Sequence, residues 1–204
     1  MTMNKLSYVL TLIICLTFTN VTFAQKANDV LDKTAEKFKS SGGVKAQFTY
    51  AINDQHGEGQ ISLSDKKFFC STDVMKSWYD GKDMWHYVIS NEEVNVTTPT
   101  ASETSRINPY SFLNIYKKGY NCSFGKNTST EYVINMNGKD NATFKNIVVK
   151  INKKTYQPTY IKTVGKKVTT EVTIKSLKTG VKFNDSEFKF NKKNYPNVDI
   201  IDLR

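Results

Sequence analysis

The sequence predicts a mainly β fold of the α+β kind, an antiparallel meander fronted by one amphipathic helix. Three observations predict it. Apolar residues recur at helical spacing early in the chain, at Ala27, Val30, Leu31, Ala35 and Phe38. After Gly43 the apolar period changes to two, through Val44, Ala46, Phe48, Tyr50 and Ile52. From there to Phe190, short β-branched and aromatic runs alternate with turns rich in Gly, Asn and Asp.

The first segment precedes the fold. Met1 to Lys5 carries positive charge, Leu6 to Phe18 is mostly apolar, and Thr22-Phe23-Ala24 forms a small-x-small cleavage site. Residues 1–24 therefore read as a secretory signal peptide, leaving 25–204 as a single domain. The apolar run is short for a membrane span. The helix follows, with Asn28 or Asp29 as its cap and Gly42-Gly43 as its stop.

The strands come next. A turn is expected from Asn53 to Gly59, then a strand with Ile61 and Leu63, and another at Phe68-Phe69. Trp78-Tyr79 and Met84 to Val88 flank Asp80-Gly81, a hairpin signal because Gly tolerates positive φ. Val94 and Val96 mark a further short strand. In the second half, Tyr132 to Met136 runs into Asn137-Gly138, another expected hairpin turn, and Phe144 to Ile151 follows. Pro158 demotes Tyr156–Val164 to an edge or a bulge. Val168 to Leu177 and then Phe188 and Phe190 complete roughly ten strands, the pattern of an antiparallel meander.

One segment breaks the pattern. Asn108 is a good N-cap, Pro109 suits the first helical turn, and Gly119 suits a stop. Between them Tyr110, Phe112, Leu113, Ile115 and Tyr116 spread around a short helix that cannot stand alone in water. It reads either as a fixed plug in an ordinary core or as a removable cover over an apolar cavity.

Charge and cysteine usage narrow the function classes. The net charge is +10, almost all of it lysine, with arginine only at Arg106 and Arg204. Lysine pairs scattered over turns keep a β protein soluble, whereas a nucleic-acid reader clusters Arg and Lys on one element. No nucleic-acid partner is expected. Cys70 and Cys122 lie in the exported part, and either a disulfide or two separate buried thiols fits. No Cys-x-x-Cys occurs, and His56 and His86 are the sole histidines, so no metal or other cofactor is expected. No Gly-x-Ser-x-Gly elbow or His-Glu-x-x-His occurs, which argues against a hydrolase.

The ordered set of motifs is specific. It runs from the helix through Gly57-Glu58-Gly59-Gln60-Ile61-Ser62-Leu63 and Asp80-Gly81-Lys82-Asp83-Met84-Trp85-His86-Tyr87 to the Asn108–Gly119 segment. It ends at Phe188-Lys189-Phe190 and Asp202-Leu203-Arg204. This order resembles the LolA-type periplasmic carriers of outer-membrane lipoproteins, over essentially all of 25–204. The resemblance implies an unclosed antiparallel β-barrel, a half-barrel, with helices as a lid over an apolar cavity for acyl chains. It implies a monomer that takes acylated lipoproteins from an inner-membrane ABC exporter to an outer-membrane acceptor, with no catalysis. An envelope-stress or lipid sensor on the same half-barrel is the rival.

On this reading Phe48, Tyr50, Ile61, Leu63, Trp85, Tyr87 and Tyr132 are candidates for the cavity wall, or else ordinary core. Phe112, Leu113, Ile115 and Tyr116 are candidates for the lid. The family often places an Arg-Pro pair after its second strand, where the Arg helps hold the lid. Here that stretch is Ser64-Asp65-Lys66-Lys67, so Lys66 or Lys67 is the candidate latch, without the planar fork of guanidinium.

Overall fold

The computed structural model describes residues 22–100, 103 and 114–204. Helix α1, Thr22–Ser40, opens the described chain. Its apolar stripe of Ala27, Val30, Leu31 and Phe38 is buried, and the one buried hydroxyl on that face, Thr34, donates to the Val30 carbonyl at 3.0 Å. Asn28 and Asp29 lie inside the helix rather than capping it, because helical structure already begins upstream of the apolar stripe. Gly42 stops it as expected, with φ of +73°, a conformation that other residues rarely adopt.

The strands are β1 Gly43–Ile52, β2 Gln55–Ser64, β3 Lys67–Thr72, β4 Met75–Tyr79, β5 Met84–Val88, β6 Glu93–Thr97 and β7 Tyr120–Phe124. They continue with β8 Glu131–Gly138, β9 Asn146–Asn152, β10 Pro158–Val164, β11 Thr169–Val181 and β12 Asp199–Asp202. All twelve form one sheet, in the order β12-β6-β5-β4-β3-β2-β1-β11-β10-β9-β8-β7. The two edge strands, β12 and β7, do not pair, so the sheet is an unclosed half-barrel. Neighbours are antiparallel except β12, which runs parallel to β6.

Several turns differ from the sequence expectation. Ile52 pairs with Gln55, so the Asn53–Gly59 turn shrinks to Asn53-Asp54, with Asn53 at φ of +52°. Asn137 pairs with Asn146, so Asn137-Gly138 belongs to the end of β8 and the connection runs on through Phe144. Gly138 is needed there for close approach, since a Cβ would sit 2.3 Å from the Phe144 carbonyl oxygen. Pro158 starts β10 beside a register shift, which is the expected bulge. Phe188 ends a 3-10 turn, Asp185–Phe188, instead of lying in a strand.

The Gly-Glu-Gly motif of β2 has a packing cause. Phe48 stands opposite Gly59 and Tyr50 opposite Gly57. A Cβ at Gly59 would lie 2.5 Å from the Phe48 ring and 2.9 Å from the Ser71 carbonyl oxygen. The bare glycines let both rings lie across β2. Gly59→Ala is expected to lower stability by about 1–3 kcal/mol, through overpacking. A urea midpoint equal to that of the parent protein would show that the ring has another place to go.

Among the described residues, three apolar clusters hold the sheet and its cover together. On the face that meets α1, here the inner face, one joins Val30 and Leu31 to Ile134, Met136, Ile147, Val149 and Ile151. A second joins Phe38 to Val44, Leu63, Phe68 and Tyr79. The third is on the outer face, where Trp78, Tyr87, Val94 and Val96 lie under the C-terminal segment through Phe190, Tyr195 and Val198. The Trp78 ring meets Phe190 and Tyr195 edge-on, at 5.5 and 5.9 Å.

Candidate functional site

Strand register decides which side chains share the inner face. Leu63 pairs with Val44, Ile61 with Ala46, and Phe48 and Tyr50 follow on alternate positions of β1. On the far side of β11 the face continues through Val172, Ile161, Val149 and Ile134, each paired with the next. Tyr132 joins it from β8, stacked on Phe124 with ring centroids 5.8 Å apart. Five of the seven expected wall residues, Phe48, Tyr50, Ile61, Leu63 and Tyr132, therefore lie on one continuous inner surface. Leu63 is buried, whereas Phe48, Tyr50, Ile61 and Tyr132 are only partly covered.

Trp85 and Tyr87 do not belong to that wall. Trp85 pairs with Trp78, and both Trp85 and Tyr87 pack in the outer cluster under the C-terminal segment. Met84 takes the inner position on β5, against the Phe38 cluster. Both faces of β5 are apolar in sequence, so its parity was set by which partner covers which face.

Helix α1 covers the β7–β10 half of the inner face closely. The apolar void left there, among Leu31, Tyr116, Met136, Val149 and Ile161, is about 40 Å³. Over β1–β3 the inner face is less covered, since Phe48, Tyr50 and Ile61 are only partly buried. A hollow of about 370 Å³ on these strands is lined mainly by Gln47, Glu58, Gln60 and Ser71, which alternate to the opposite face. A larger polar cleft, about 730 Å³, runs between α1 and the β2–β3 turn. Asp32, Glu36, Lys39, Lys66 and Lys117 line it.

Of the expected lid residues, Phe112 and Leu113 lie outside the described residues. Ile115 and Tyr116 begin a 3-10 turn, Ile115–Lys117, and pack on the α1 cluster. Gly119 follows with φ of +81°, and β7 starts at once. The buried Tyr116 donates its hydroxyl to Asp32 Oδ1 at 2.5 Å, and Lys117 Nζ is 3.1 Å from the same oxygen.

Asp32 is thus the anchor of this turn on α1, and sequence reading missed it. It sits beside Leu31 on a helix whose polar positions look uniformly solvated. The Tyr116 hydroxyl, with Lys117 assisting against the opposing effect of burial, holds the Asp32 carboxyl below the usual range. Burial, then Asp32 itself, pushes the Tyr116 hydroxyl upward.

A carboxyl depressed in the folded state contributes stability above its unfolded value, near 4. That contribution disappears as pH falls through the lower folded value. Tyr116→Phe is expected to cost about 1 kcal/mol at pH 7 and less below pH 3, discounted because Asp32 is half exposed. Paired urea titrations at the two pH values measure it; an equal loss at both would place the effect in packing instead.

The two candidate latch lysines part company. Lys67 bonds Asp185 Oδ1 at 2.6 Å, tying the β2–β3 turn to the C-terminal segment. Lys66 is exposed and lines the polar cleft. Cys70 and Cys122 are separate thiols, Cys122 under α1 and Cys70 beside the Phe38 cluster, so no bridge joins them. Burial pushes the Cys70 thiol up to about 11.

The Asp-Gly-Lys hairpin and the terminal Arg meet in space. Asp80 Oδ1 accepts the N–H groups of Lys82 and Asp83, each at 2.9 Å, which closes the hairpin. Asp83 then accepts Thr98 Oγ1 at 2.6 Å and Arg204 Nη1 at 2.9 Å. Arg204 also pairs with Asp202, whose carboxyl it holds at about 2. These contacts pin β12 along the edge of β6.

An unclosed, almost wholly antiparallel sheet with a helix across its apolar inner face defines a half-barrel fold. The family described as outer membrane lipoprotein carrier protein LolA matches residues 17–167, well over half of the chain, and the chain belongs to that family. Its members are carriers and binding proteins rather than enzymes. No curated protein sequence matches the chain significantly.

Solved structures are similar to the chain at low identity. An uncharacterized conserved protein from Thermus thermophilus superposes with a TM-score of 0.58 at 10% identity, covering 88% of this chain and 98% of its own. A LolA superfamily protein from Nitrosomonas europaea gives 0.40 at 11% identity, over 80% and 97%. MucB in the Pseudomonas aeruginosa MucA/MucB complex gives 0.48 at 10% identity, over 86% and 63%.

Proposed function

We propose that this protein is a periplasmic carrier that holds the acyl chains of lipoproteins against its inner face and moves them from the inner to the outer membrane. The observation that carries the reading is the continuous apolar face running from β3 through β11 to β8, which α1 covers only in part. Export through a signal peptide over residues 1–24, delivery from an ABC exporter and transfer to an outer-membrane acceptor belong to the same proposal. So does a monomeric state, with no cofactor and no catalytic group.

The physics of the cargo favours such a surface. An acyl chain gains about 0.8 kcal/mol for each methylene taken out of water, so two or three chains need a dry concavity. Burial of this kind is non-directional and asks for no reactive side chain. Release is the harder step, because a cavity that only fits the chains would keep them. Ile115 and Tyr116 occupy the β7–β8 end of the inner face. Side chains that refill the space when cargo leaves compete with it, which lowers net affinity in proportion to the closed population. Phe112 and Leu113 extend this refilling role by sequence alone.

Native mass spectrometry of the protein taken from its own envelope tests the proposal. An acylated protein species should co-purify and be displaced by excess detergent. Capture of one unacylated regulatory protein, with no lipid, would favour the sensor reading instead.

A further inference from the structure

We propose that Ser77, His86 and Asn95 form a polar subsite on the inner face that hydrogen-bonds the carbonyl oxygen at the head of an acyl chain. The inference rests on the acyl-carrier reading and assigns that site its polar end.

One cross-strand row carries it. Ala46, Ile61, Cys70, Ser77, His86 and Asn95 are successive partners across β1 to β6. The row is apolar as far as Cys70 and polar from Ser77 onward. Ser77 is only 3% exposed, and its hydroxyl lies 2.8 Å from His86 Nδ1. His86 Nε2 makes no hydrogen bond to a described residue.

A solvated strand face would account for polar residues, but these are not solvated: Ser77 is buried, and His86 and Asn95 are partly so. The other side of the same strands belongs to Trp78, Trp85 and Tyr87, so the row is not the reverse of an empty face.

The chemistry suits an acyl head group. A carbonyl oxygen drawn into a dry cavity loses its water partners and needs a donor. With Ser77 donating to Nδ1, the ring carries its proton on Nε2 and offers a donor beside an apolar wall. Burial lowers the His86 pKa, which keeps the ring neutral near pH 7. The groups facing it are Ser77, Met75 and Tyr79 from β4, Met84 and Val88 from β5, and Asn95, Thr97 and Glu93 from β6. The matching oxygen is either the ester of a bound lipid or a free fatty-acid carboxylate.

Displacement of the fluorescent probe 1-N-phenylnaphthylamine by octane, methyl octanoate and octanoate tests the subsite. The parent protein, His86→Leu and Asn95→Leu are compared, with circular dichroism as the folding check. The variants should lower ester affinity relative to octane by about fivefold, the worth of one hydrogen bond. The infrared carbonyl band of bound ester should move to higher wavenumber in His86→Leu.

Loss for the ester assigns the site to lipid-linked chains, and loss confined to octanoate assigns it to free fatty acid. Octane binding with one ester-to-octane ratio in all three proteins, and an unmoved carbonyl band, would overturn the subsite alone. Failure of octane to displace the probe from the parent would overturn the cavity reading and the subsite with it.

Discussion

Ile61→Glu should abolish retention of a triacylated lipoprotein while leaving the twelve-stranded sheet intact. Ile61 stands between Ala46 and Cys70 on the inner face, at the margin of the Phe38 cluster. It is only partly covered, so a carboxylate there keeps contact with water and the fold tolerates it. Against an acyl chain the same carboxylate has no partner. Burying it would cost about 3 kcal/mol or more, roughly a hundredfold in affinity. Co-elution of cargo on gel filtration and far-ultraviolet circular dichroism read the two halves of the expectation. Undiminished retention would mean that the acyl chains bind elsewhere.

Trp78→Ala should produce the largest loss of stability on the outer face. Trp78 is 6% exposed, lies tilted against Phe69 with ring centroids 5.3 Å apart, and makes edge contacts with Phe190 and Tyr195. Removing a buried indole leaves a cavity that the neighbouring rings cannot fill, at a cost of about 3–5 kcal/mol. The midpoint of urea unfolding should fall accordingly, and the C-terminal segment should become the first target of limited proteolysis. A shift under about 1 kcal/mol, together with an unchanged cleavage pattern, would show that the segment is held by Arg204 and β12 rather than by its aromatic rings.

The helix and the strands β1 to β6 were legible because period and turn chemistry agree there, whereas the half-barrel class followed from the family resemblance of the ordered motifs. Gly42, Asp80-Gly81 and Pro158 sit where their backbone preferences place them. What escaped was set by long-range partners. β7 has the short pattern Tyr120-Asn121-Cys122, recognisable only once β8 and α1 lie beside it. β12 forms through Asp83 and Arg204, two residues far apart in the chain. The inner wall was legible on β1 and β2, where one face alone is apolar. It was not legible on β5, where Met84 and Val88 compete with Trp85 and Tyr87. The polar row through Ser77 and His86 was invisible for the same reason, since a lone serine and a lone histidine say nothing until register aligns them.

The middle of the sheet is a join between distant parts of the chain, Gly43–Ile52 against Thr169–Val181. The hairpins on either side can form from local sequence, but this seam must wait until a very long loop has closed. Such topologies fold slowly, on the order of milliseconds to seconds, because the entropy of closure precedes the reward. Until the seam is sewn, the two meanders are separate, half-formed ribbons. A chain cut once between β6 and β7 should therefore still assemble from its two fragments, knitting along β1 and β11.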